Sequence, residues 1–93
     1  MTTAVWKFPL AVEDYQEVVV PYGAIPLCVQ AQGDTPCLWA WVDTSNWAAG
    51  QKATLVLRTH GTGHPIEDHP GDYLGSYQLL GGSFVGHVFW RRK

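Results

Sequence analysis

Charge is scarce in this sequence. Six lysines and arginines stand against eight aspartates and glutamates, for a net charge of −2 and a pI near 6.0. Nucleic-acid backbones are gripped by basic faces, and the one basic cluster, Arg91-Arg92-Lys93, reads as a solvated end. DNA and RNA are therefore not expected as partners. Long apolar runs are also missing, so no segment is long enough to span a bilayer as a helix, and no membrane role is expected. The N-terminus lacks the charged-then-apolar order of an export signal, which makes the cytosol of a host cell the expected compartment. Cysteine is limited to Cys28 and Cys37. If Gln32-Gly33 forms a two-residue turn, the two fall opposite one another and a bridge is geometrically open, while a cytosolic setting favours reduced thiols. No further ligands stand beside them at metal spacing, and no metal or cofactor is expected.

What the chain does have is aromatic surface: five Trp, four Tyr and three Phe among 93 residues. One domain spanning 1–93 fits this length. A chain this short buries only about 60–65% of the surface its unfolded form exposes, so small domains often lean on self-association. Each aromatic ring buries roughly 150–250 Å², which is enough for a core with rings left over for a ligand or a second subunit. A homo-oligomer is the expected state.

The pattern along the chain is β throughout. Runs rich in Val, Trp, Leu and Thr are punctuated by Gly, Pro and Asp. Strands are expected at "A-V-W-K-F", "Q-E-V-V-V-P", "A-I-P-L-C-V-Q-A", "P-C-L-W-A-W-V-D" and "A-T-L-V-L-R-T-H". A loop with a short helical turn near Trp47 and a long Gly/Pro-rich loop after His60 separate them. The last hairpin, turning at Gly81-Gly82, has a nearly forced register: Gln78 opposite Val85, Tyr77 opposite Gly86, Ser76 opposite His87. Alternation then places Tyr73, Tyr77, Leu79, Phe84, Val88 and Trp90 on a core face, with Gly86 making room for the Tyr77 ring. Leu74, Ser76, Gln78, Val85, His87 and Phe89 fall on a mixed face suited to a partner or ligand. In "P-C-L-W-A-W-V-D" both faces are apolar, as in a strand covered on both sides. The expected fold is all-β, a small antiparallel sandwich or barrel of about six to seven strands.

Chemistry concentrates in "R-T-H-G-T-G-H-P", Arg58 to Pro65. Arg58 offers a bidentate anion contact, Gly61 and Gly63 let amides approach a ligand, and Thr59 and Thr62 add hydroxyls. His60, His64 and His87 are further hydrogen-bonding candidates. The stretch lacks the third glycine of a dinucleotide fingerprint and the lysine of a P-loop. His60-Gly61-Thr62 has the H-x-T form of two-histidine phosphoesterases, but the second copy is absent, since Val88-Phe89 follows His87. No nucleophile–histidine–acid constellation is recognisable, so no catalytic residue is assigned. Trp39 and Trp47 are candidates to stack a base.

The blocks "V-W-K-F-P-L", "P-C-L-W-A-W-V-D", "G-T-G-H-P-I" and "H-V-F" together resemble a family of short proteins encoded by bacteriophages and prophages. The likeness covers most of the chain. Its best-matching polar positions are Thr62, Gly63, His64 and His87, beside Trp39 and Phe89. Phage proteins of this size include homo-oligomeric sponges that bind host nucleotide immune signals, such as cyclic ADP-ribose derivatives, without cleaving them. By analogy of size, source and shape, the expectation is an anti-defence protein that sequesters a small anionic nucleotide-like ligand at an intersubunit pocket. The alternatives are an interaction module for a host or virion protein, and a nucleotide hydrolase using His60 or His64.

Overall fold

Apolar side chains alternate along nearly every run, and that alternation sorts the strands into two layers. In the computed structural model, which describes residues 2–93, the strands are β1 (Thr3–Pro9), β2 (Tyr15–Pro21), β3 (Ile25–Gln32), β4 (Thr35–Asp43), β5 (Lys52–Gly61), β6 (Asp72–Leu79) and β7 (Phe84–Arg92). A five-residue helix, α1 (Thr44–Ala48), follows β4. The layers are a three-stranded sheet in the order β1-β4-β3 and a four-stranded sheet in the order β2-β5-β7-β6, with every pairing antiparallel. This is a small antiparallel β-sandwich. Among the described residues, no helix is long and apolar enough to cross a membrane.

The core lies between the sheets. Leu38, Ala40 and Val42 of β4 face Leu55 and Leu57 of β5, with Val20, Val29, Tyr77, Leu79 and Val88 filling the layer. Trp6, Phe8, Leu74, Phe84 and Trp90 pack around its margin. The outer face of β4 is covered unevenly within the protomer: Cys37 is buried, whereas Trp41 is 49% exposed beside Val5, Ile25 and Leu27. The double cover expected for this strand is therefore incomplete in a single chain.

The β3–β4 turn corrects the cysteine register. Gln32 pairs with Thr35, so Gly33 and Asp34 make the turn, one residue later than expected. Gly33 takes φ 62° there, a left-handed conformation that glycine adopts without a steric penalty. Cys28 then faces Trp39 rather than Cys37, and both thiols are free.

The last hairpin keeps its expected register from Leu79–Phe84 through Ser76–His87. Its turn is a four-residue one, closed by the Ser83 amide donating to the Leu80 carbonyl at 3.2 Å. A Cβ on Gly86 would lie 2.8 Å from Tyr77 Cζ and 2.9 Å from Thr59 Cγ2, so the missing side chain does make the space for that ring. Gly86→Ala is expected to cost about 1–3 kcal/mol through overpacking, checked by urea unfolding. Burial raises the pKa of the Tyr77 phenol, opposed in part by the neighbouring Thr59 hydroxyl.

One face assignment in this hairpin is overturned. The register shifts between Tyr73 and Gly75, and Gly75 adopts φ 152° against Val29. The extra residue of a bulge reverses the facing of what precedes it. Tyr73 therefore turns outward, 60% exposed, and Leu74 packs against the core.

Candidate functional site

Strand alternation sends Arg58 and His60 of β5 outward and Thr59 inward. The outer face of the four-stranded sheet then carries two cross-strand rows. Tyr15, Arg58, Phe89 and Tyr73 make one, and His60, His87 and Ser76 make the other. The Arg58 guanidinium sits 5.5 Å from the Tyr15 ring centroid, a stacking geometry that fixes the fork. Tyr15 is itself anchored, since its hydroxyl donates to Glu17 at 2.7 Å and Lys93 donates to the same carboxylate at 3.0 Å. Those two bonds, Tyr15 first, hold the Glu17 pKa below its usual value, and the bond to Glu17 raises that of Tyr15.

The second row is a chain of hydrogen bonds. Thr62 Oγ1 lies 2.6 Å from His87 Nε2, Ser76 Oγ lies 2.7 Å from His87 Nδ1, and Tyr73 OH lies 2.7 Å from Ser76 Oγ. A neutral imidazole donates from one nitrogen and accepts at the other, so a hydroxyl on each side satisfies either tautomer. No carboxylate completes this chain, and both nitrogens are engaged. It orients β6, β7 and the start of the loop; it does not present a free base.

After β5 the chain turns at Thr62-Gly63, with the His64 amide donating to the Gly61 carbonyl at 3.1 Å. Residues 65–70 then fold back over the sheet. Arg58, His60, Pro65, Ile66, Glu67, Asp68, His69 and Pro70 enclose a cleft of about 240 Å³. His69 Nδ1 accepts the Gly71 amide at 3.1 Å, so a neutral ring carries its proton on Nε2. His60 stands edge-on to Phe89 at 5.9 Å, and its Nε2 is buried with no partner. An imidazole nitrogen shielded from water and unpaired is costly, and a polar ligand group in the cleft would relieve that cost.

The expected constellation is thus divided. Arg58 and His60 share the cleft, and Thr62 is joined to His87 beside them. Thr59 is only 6% exposed and faces the sandwich interior, so its hydroxyl is not presented with Arg58. Gly61 and His64 border two other grooves, one with Thr62, Ser83, Phe84 and Val85 and one with Val12, Glu13, Asp14 and Thr59. The His64 ring covers Gly61 closely, 2.9 Å from where a Cβ would stand. Gly63, at φ 82°, serves the turn.

The tryptophans lie elsewhere. Trp39 points outward from the other sheet, with Lys7 Nζ 6.0 Å from its ring. Trp47, on α1, packs edge-on against Trp6 at 5.8 Å and lies under Lys52 Nζ at 4.6 Å. The aromatic rings beside the cleft are Tyr15, Phe89 and Tyr73, the last two in edge contact at 5.3 Å. Phe89 was legible from the hairpin register; Tyr73 was hidden by the bulge. Among the described residues, no group of three or more His, Cys, Asp or Glu side chains is placed to hold a metal ion.

Comparison with curated proteins and with solved structures finds no match. A family profile does match, and it covers residues 1–93, the whole of the sequence. The chain belongs to the family described as a domain of unknown function, DUF7352.

Proposed function

We propose that this protein captures a small anionic, nucleotide-like ligand without transforming it, with the phosphate held in the cleft under residues 65–70. The observation that carries the reading is that Arg58, His60 and His69 line one cleft, with His60 Nε2 buried and lacking a hydrogen-bond partner. A volume of about 240 Å³ is below the usual span for whole drug-sized ligands; it suits a phosphate or pyrophosphate group. Tyr73 and Phe89, just outside, provide faces on which a base stacks. Glu67 and Asp68 accept hydrogen bonds, which favours a ligand bearing hydroxyl or amino donors as well as phosphate. Cyclic ADP-ribose-like molecules and cyclic nucleotides combine these features. The resemblance to phage proteins supports sequestration of such an immune signal in the host cytosol by a homo-oligomer.

Arg58→Glu is expected to weaken binding of such ligands by roughly 10- to 100-fold, the loss of a charge-assisted pair. Titration calorimetry checks it, and unchanged affinity would sink the assignment. Recovering the ligand after heat denaturation separates capture from hydrolysis at His60 or His64: an intact molecule means capture.

A second reading rests on a different surface. Val5, Ile25, Leu27 and Trp41 are each about half exposed on the three-stranded sheet, beside a groove of about 270 Å³ lined by Tyr22, Ile25, Trp41 and Asn46. Contiguous apolar surface of this kind suits a protein partner. Pull-down of a host or virion protein that is lost on Trp41→Lys, with no small-molecule binding, would favour this module.

A further inference from the structure

The sheet edges are not equally protected. β3 and β6 each carry a register shift and abut one another, Gly75 against Val29. β1 carries Lys7 next to its central residue and Pro9 at its end. Bulges, lysines and cover are the usual defences of an edge. β2, "Y-Q-E-V-V-V-P", has an unshifted register, no lysine, and a proline only as its last residue.

Backbone bonds show which way its peptide groups point. The Thr59 amide donates to the Asp14 carbonyl at 3.0 Å, and the Tyr22 amide to the Gln51 carbonyl at 2.9 Å. Both fall in the β2–β5 register. Antiparallel partners alternate between bonded and non-bonded pairs, so Gln16, Val18 and Val20 turn their backbone toward β5. Tyr15, Glu17, Val19 and Pro21 turn theirs away from the sheet. Among the described residues, only the Pro21 carbonyl of that row has an internal donor, the Ala24 amide. Along this edge Val12, Tyr15 and Val19 are open, 51%, 44% and 50% exposed, and the one charge among them, the Glu17 carboxylate, is already engaged by Tyr15 and Lys93.

We propose that the β2 edge pairs antiparallel with the β2 edge of a second copy, joining the two four-stranded sheets into one across a twofold axis. An antiparallel edge is complementary to itself under such an axis, so this occupant needs no sequence beyond the chain in hand. Two registers bring the free rows into phase near the strand centre. One sets the Glu17 carboxylates opposite each other, and like charges in that position are destabilising. The other sets Val18 against the partner subunit's Val18 and Glu17 beside the partner subunit's Val19, forming about four central backbone bonds. The second register is the one assigned. The axis runs perpendicular to the joined sheet, so both Arg58 clefts open on the same face.

This assembly deepens the homo-oligomer part of the reading above but does not depend on the cleft's ligand. Sedimentation of the full chain at high micromolar concentration is expected to give twice the chain mass, with slow amide exchange at Glu17 and Val19. Val19→Pro deletes an amide that β5 does not use, and Val19→Lys adds a charge to the edge; both are expected to sediment as single chains with fast exchange at Glu17. Should the proline variant lose its β-sheet circular dichroism, the lysine variant decides. A wild-type chain that sediments alone, or a dimer that survives both substitutions, overturns the pairing. Titration of the same samples with cyclic nucleotides reads the cleft separately: a dimer without affinity overturns capture and leaves the pairing standing.

Discussion

An alanine at Gly71 is expected to open the cleft while leaving the sandwich folded. Gly71 holds φ 105°, a value that side-chain-bearing residues rarely adopt. A Cβ there would lie 2.5 Å from the Trp90 carbonyl oxygen and 3.1 Å from its carbon. Trp90 belongs to β7, paired on both sides, so it has no room to retreat. The loop must move instead. Residues 65–70 close over Arg58 and His60 because the chain returns tightly against β7 at this glycine. Backbone strain of this kind costs about 1–3 kcal/mol, or roughly 5–20 °C of melting temperature in a domain this size. Gly63→Ala is the control: its φ is also positive, but no atom stands within 4 Å of its Cβ position, leaving conformational strain of about 1–2 kcal/mol. Limited proteolysis within 62–70 should accelerate in Gly71→Ala well beyond Gly63→Ala, with ligand affinity falling in parallel. Equal cleavage rates in the two variants would show that Gly71 does not set the loop's position.

That loop marks where the sequence stops being informative. The strands were legible because alternation and turn residues are local signals, and the Ser76–His87 pairing followed from the position of one turn. The inward facing of Thr59 was equally legible, since Leu55, Leu57 and Thr59 share a parity in the strand "A-T-L-V-L-R-T-H". The β6 bulge was not, because Gly75 reads as an ordinary strand glycine until Val29 is brought against it from another sheet. Its consequence is large: it turns Tyr73 out to Ser76 and Phe89 and puts on the outer face an aromatic ring that the pattern had assigned to the core. The return of residues 65–70 over β5 depends on a long-range contact at Gly71, which no periodicity announces.

The central strand β4 supplies the sharpest test of the layering, because its sequence is apolar on both faces. Leu38 has no exposed surface, while Trp41, pointing the other way, is 49% exposed. Leu38→Ala is expected to cost about 2–5 kcal/mol, the lost transfer energy plus the cavity. A domain of this length holds roughly 5–14 kcal/mol in total, so the melting temperature should fall by about 10–30 °C. Trp41→Ala removes a larger side chain, and if side-chain size alone ruled it would be the worse substitution. Burial reverses the order: half of that ring already meets water, so its loss should be less than half that of Leu38→Ala in thermal unfolding at low protein concentration. The ranking also reports on assembly. If Trp41→Ala proves the more damaging, the outer face of the three-stranded sheet is itself covered in solution, and the β2 edge is not the principal contact between copies.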